Sequence, residues 1–102
     1  MVELEMNINN KRHYDLRKFK ERVKSGFLFG EFNESPEVGI NLSKASHKIV
    51  GVEDNGETLS IYLEFLETPL GKQAKEIFER GELGFSLRSI SNTIISIDCK
   101  SK

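Results

Sequence analysis

The stretch from Thr68 to Ser89, TPLGKQAKEIFERGELGFSLRS, sets a capped helix directly before a strand that carries a serine beside an arginine. Thr68 can accept from the free amides of a first helical turn, Pro69 suits the first helical position, and Gly81 can take the left-handed conformation that ends a helix. Between them Leu70, Ala74, Ile77 and Phe78 fall on one face, as an amphipathic helix requires. Past the glycine, Gly84 to Arg88 read as a short strand, whose two-residue period puts Ser86 and Arg88 on the same side. That order can present a nucleophile next to a cation.

Outward from this stretch the chain reads β-α-β-β-β-α-β-β. Val2, Leu4, Met6 and Ile8 alternate with Glu3, Glu5 and Asn7, so the chain begins with a strand buried on one face, ended by Asn9 and Asn10. From Tyr14 to Ser25 the period turns helical, with Leu16, Phe19 and Val23 on one stripe and Gly26 as the stop. Phe27, Leu28, Phe29 and Phe32 predict a well-buried strand, followed by a loop from Asn33 to Ser43 that holds Pro36 and Gly39. Strands over 47–53 and 58–66 form a hairpin, because Asp54-Asn55-Gly56 supplies the residues that a tight turn prefers. Leu59, Ile61, Leu63 and Phe65 share its inner face. A last strand, Thr93 to Cys99, is expected to pair with the Ser86 strand across a turn at Ser91-Asn92. The expected class is α+β: one domain over 1–102, a mostly antiparallel sheet or partly open barrel with two helices.

Composition narrows the function. A chain of 102 residues with 37% hydrophobic and 30% charged residues has room for one core and the balance of an ordinary globular protein. A net charge of -1 gives no general attraction to nucleic acid or membrane. One cysteine, Cys99, excludes an internal disulfide, and with only two histidines no metal or other cofactor is expected. There is no apolar run of membrane-spanning length, and MVELEMNINN lacks the layout of a signal peptide, so the chain is expected in a reducing cytoplasm. Charge is uneven along the chain: Arg17, Lys18, Lys20, Arg22 and Lys24 make the first helix basic, while Glu31, Glu34, Glu37, Glu53, Asp54 and Glu57 lie elsewhere. Such two-sided charge suits protein contacts or a homo-oligomer. A solvated helix face is the plain alternative.

Three segments together resemble the prohead core proteases of tailed phages, the serine proteases that trim scaffold and capsid proteins during head maturation. Thr68-Pro69-Leu70-Gly71-Lys72 through Gly84-Phe85-Ser86-Leu87-Arg88 is similar to that family's helix and its glycine-hydrophobic-serine-x-arginine nucleophile strand. Ala45-Ser46-His47-Lys48-Ile49 is similar to its serine-histidine strand start. Gly30-Glu31-Phe32-Asn33-Glu34-Ser35-Pro36 stands where the family carries a glycine-glutamate-x-aspartate-histidine-proline motif. With Ile97-Asp98, the resemblance spans most of residues 10–98.

The resemblance implies Ser86 as nucleophile, His47 as an improvised base, Asp98 or Glu34 orienting it, and Arg88 helping to position donors around the oxyanion. It also implies an infected bacterial host, in the cytoplasm, the prohead or the virion. The third segment departs from the family pattern, since the histidine of that loop falls on Glu34 or a neighbour. A serine without an adjacent base is a poor nucleophile at neutral pH. The expected function is therefore a protein-binding module with impaired catalysis, attached to a capsid or scaffold protein or blocking a host factor such as a defence enzyme. The alternative is an active endopeptidase that processes scaffold and capsid proteins.

Overall fold

The computed structural model describes residues 1–7, 14–26, 28–33 and 42–102. Its elements are β1 (Val2–Asn7), α1 (Leu16–Ser25), β2 (Phe29–Glu31), a 3-10 turn (Leu42–Lys44), β3 (Ala45–Asp54), β4 (Thr58–Phe65), α2 (Pro69–Glu79), β5 (Leu83–Ile90) and β6 (Thr93–Ser101). The order of helices and strands is the one that the periodicities predict.

Local chemistry sets the boundaries. Asp15 caps α1 by accepting from the Lys18 amide at 3.2 Å, so the helix opens at Leu16 rather than Tyr14, and Gly26 closes it at φ 80°. Thr68 caps α2 by accepting from the Gly71 amide at 3.1 Å, with Pro69 in the first turn. In the β3–β4 turn the Gly56 amide donates to Asp54 Oδ1 at 2.9 Å.

The strands run β1-β4-β3-β2, all antiparallel, and β5-β6 form a separate antiparallel hairpin. β2 is the seam between them. Expected as a longer strand from Phe27, it pairs with β3 only over Phe29–Glu31, with an irregularity after Gly30. Its backbone then changes partners: the Phe32 amide donates to Lys44 O and the Asn33 amide to Cys99 O, with a parallel bridge between Phe32 and Cys99. Phe27 lies outside the described residues. The result is an open arrangement of six strands rather than a closed barrel.

One core lies between α1 and the sheets, where Phe19, Leu28, Ile49, Leu59, Ile61, Leu63, Ile94 and Ile97 are buried. A second packs Ala74 and Ile77 of α2 on Phe32, Leu83 and Cys99. Each fully buried Leu, Ile or Phe contributes about 1.5–3 kcal/mol, so these clusters fix the β5–β6 hairpin onto β2 and α2. That placement carries the polar residues described next.

A candidate site on the serine strand

Ser86 and Arg88 of β5 stand opposite Asp98 and Ser96 of β6 in the ladder, so alternation brings all four to one face of the hairpin. Beneath the sheet surface Arg88, Asp98 and Ser96 join Glu31 of β2 in an ion cluster. Arg88 donates from Nε to Asp98 Oδ2 at 2.8 Å, and its Nη1 lies 3.2 Å from Glu31 Oε2. Asp98 Oδ1 accepts from the Glu31 amide at 2.9 Å and from the Ser96 hydroxyl at 2.8 Å. The Arg88, Glu31 and Asp98 side chains are 8%, 0% and 1% exposed. Charges at that depth are tolerated only when paired and hydrogen-bonded, and the geometry meets that condition for Asp98 with three donors. The cluster ties β2, β5 and β6 together.

Ser86 is different, for its residue is exposed although it shares that face. Among the described residues its hydroxyl has no side-chain hydrogen-bond partner and no imidazole beside it.

His47 sits on β3 with no exposure at all. Its Nε2 is 2.6 Å from Ile97 O, and a carbonyl only accepts, so Nε2 carries the proton. Its Nδ1 accepts from the Ser46 hydroxyl at 2.8 Å, and Ser46 Oγ lies 3.3 Å from Cys99 Sγ. The ring is walled edge-on by Phe65 and Phe85, with centroids at 6.3 and 5.8 Å. Phe85 precedes Ser86 on the strand, so His47 and the serine hydroxyl lie on opposite faces of β5. Burial holds the His47 pKa below its ordinary value, against the raising effects of the Ile97 carbonyl and the Asp98 charge. Burial also pushes the Cys99 thiol up to about 11. Gly30 makes this packing possible, because a Cβ there would overlap His47 Nε2 and Ile97 O.

The geometry bears on several of the expected site residues. His47 is not placed as a base for Ser86, since both its nitrogens are committed and its ring faces the other side. Asp98 is buried and bonded to Arg88, the Glu31 amide and Ser96, with no hydrogen bond to His47. Arg88 pairs with two buried carboxylates, those of Glu31 and Asp98. Glu34 lies outside the described residues, as do Lys11 and Arg12. On α1, Arg17, Lys18 and Lys24 are exposed, while Lys20 and Arg22 are half-buried and Arg22 Nη1 donates to Ile94 O at 2.9 Å. Glu31 was not singled out from the sequence as a partner of Arg88, nor Ser96 as a donor to Asp98. The available signal was a glutamate between Gly30 and Phe32 in an otherwise apolar run.

Among the described residues no group of His, Cys, Asp and Glu could hold a metal ion, and no helix is long and apolar enough to cross a membrane. No family model matches the chain, and no curated protein matches it by sequence. Among solved structures the chain is similar to the bacteriophage T4 capsid assembly protease, gp21, with a TM-score of 0.65 and 17% identity over 99% of this chain and 81% of that one. At that identity the likeness establishes the fold: this chain has a prohead-protease-like α+β fold of open, mostly antiparallel sheets with two helices.

Proposed function

We propose that this chain is a phage protein that uses a prohead-protease-like fold to hold other polypeptides, with peptide hydrolysis impaired. The carrying observation is that Ser86 is exposed on β5 while His47, the one histidine among the described residues, is buried on the other face with both ring nitrogens engaged. The sequence from 34 to 41, ESPEVGIN, contains no histidine either. An unassisted serine hydroxyl does not attack a peptide carbonyl at a useful rate near neutral pH.

The T4 neighbour is named for capsid assembly, which supports capsid or scaffold polypeptides as the partner class and the prohead of an infected bacterium as the setting. A host factor is the competing partner. In either case the exposed cations of α1, Arg17, Lys18 and Lys24, are the surface for an acidic patch, with Lys20 and Arg22 at its margin.

The second reading is an active endopeptidase, favoured by the exposure of Ser86 above a buried arginine. It requires a base from outside the described residues, and His13 is the remaining imidazole. Incubation with a fluorophosphonate probe followed by peptide mapping separates the two. No label is expected on Ser86 of the wild-type protein. Labelling of Ser86 that disappears in His13→Ala would overturn the non-hydrolytic reading.

A further inference from the structure

The six strands follow one another around the molecule and stop at one place. β1 is the outer strand on one side of the four-stranded sheet, β5 is the outer strand of the hairpin, and no ladder joins them. Between these two edges runs a groove of about 450 Å³, lined by Leu4, Glu5, Met6 and Asn7 on the β1 side and by Leu83, Gly84, Phe85 and Lys102 on the other. Among the described residues, the outer backbone edges of Val2–Met6 and Leu83–Leu87 have no ladder partner. Unpaired edges of this kind are templates for another extended backbone.

The side chains along the groove specify what fits. Leu4, Met6 and Phe85 belong to the core face yet are only partly buried, whereas Leu59 and Ile61 on the neighbouring strand are fully buried. On the opposite face, Glu3 and Glu5 of β1 are exposed, and across the gap β5 presents the small residues Gly84 and Ser86. Among the described residues a Cβ on Gly84 would meet nothing closer than the Lys102 side chain at 3.5 Å, so no packing among them demands a glycine there. Glycine within a strand suits close approach by another backbone.

We infer that this groove takes an extended segment of a partner polypeptide as an inserted strand, paired with β1 and β5. Its alternate side chains are apolar toward Leu4, Met6 and Phe85, and basic toward Glu3 and Glu5. Directly opposed cross-strand residues lie close enough for their charges to interact, and Gly84 and Ser86 leave room for long basic side chains. A second copy is a poor occupant, because pairing β1 with β1 in antiparallel register sets Glu3 and Glu5 against like charges. This inference rests on the polypeptide-holding reading above and adds a second contact surface to the cations of α1.

The test uses the ¹⁵N-labelled protein and an end-blocked heptapeptide alternating Lys and Val, with a control of the same composition whose valines are contiguous. Binding of the alternating peptide is expected to shift amides in 2–6 and 83–87 and to slow their exchange roughly tenfold or more. The double variant E3K/E5K, altered only at exposed positions, should keep a dispersed spectrum and weaken binding about tenfold. Equal binding of the control, protection confined to α1, or protection that depends on protein concentration without peptide overturns the groove assignment. Mass spectrometry of the peptide separates the two readings. A peptide that is bound at the groove and cut keeps the groove and sinks the non-hydrolytic function, whereas absent binding with unlabelled Ser86 sinks the groove alone.

Discussion

Replacing Arg88 by methionine is the sharpest test of how the serine strand is held. The substitution keeps an unbranched side chain but leaves Glu31 and Asp98 at 0% and 1% exposure without the cation that faces them. Removing one partner of a buried pair costs about 3–5 kcal/mol, against roughly 0.2–1 kcal/mol for an exposed pair. Set against about 5–15 kcal/mol of total stability for a small domain, that is a large share. At about 4–8 °C per kcal/mol, the melting temperature should fall on the order of 12–40 °C. Urea denaturation reports it, followed by far-ultraviolet circular dichroism and by tyrosine fluorescence, since the chain has no tryptophan. Coincident curves establish the two-state condition. Asp98→Asn made in the Arg88→Met background should cost less than in the wild type, because the amide oxygen still accepts from the Glu31 backbone while the buried charge disappears. Arg80 and Glu82, 3.6 Å apart with side chains 59% and 57% exposed, provide the control, and Arg80→Met should change stability little. A loss below about 1 kcal/mol for Arg88→Met would refute the reasoning, because it would mean that the cluster behaves as a solvated surface pair.

Three further outcomes follow from named contacts. Because burial holds the His47 pKa below 6.5, the unfolded chain protonates first as pH falls; stability is fully present above 6.5 and declines by up to about 1.4 kcal/mol per pH unit until the folded value is passed. The wild-type minus His47→Gln difference in urea midpoints between pH 7.5 and 5 should reveal that slope, and a flat difference would show that His47 titrates alike in both states. Gly30→Ala should lower stability by roughly 4 kcal/mol or more, or prevent folding, since its methyl overlaps His47 Nε2 and Ile97 O; wild-type-like thermal melting would contradict that packing. Thr68→Ala removes the acceptor for the Gly71 amide and should cost about 1 kcal/mol, whereas Thr68→Ser should largely restore it.

Much of the architecture was legible because local signals agreed with one another. In α2 the cap at Thr68, Pro69, the Ala74–Ile77 stripe and Gly81 at φ 74° all point to one helix, and tertiary contacts had nothing to override. The β3–β4 hairpin was equally marked by its turn. β2 was not, since an apolar run around Phe29 does not reveal where a backbone leaves β3 for Cys99 of β6. The site divides in the same way. Alternation placed Ser86 with Arg88, and Asp98 with Ser96, but alternation says nothing about what covers a face. The cover is Glu31, 57 residues before Arg88 and 67 before Asp98 by their numbers in the chain. The surroundings of His47 were hidden for a related reason: its partner is the backbone of Ile97, and no side-chain pattern announces a carbonyl.

The ion cluster also bears on why a serine can stand on this strand with no imidazole beside it among the described residues. Arg88 and Asp98 hold β5 to β6, and Glu31 fastens both to β2, so the position of Ser86 follows from alternation along an anchored strand. Holding a polypeptide along β5 and cutting one there both require this edge to be rigid. The cluster therefore serves either activity equally, and its presence does not argue for chemistry. What distinguishes the two is an imidazole on the outer face. The described imidazole lies on the inner face, locked between Ser46 and Ile97 and walled by Phe65 and Phe85. Turning it outward would break two buried hydrogen bonds and expose an apolar wall. A base for Ser86 therefore has to come from another part of the chain or from a partner, which makes the probe experiment with His13→Ala the decisive one between the two readings.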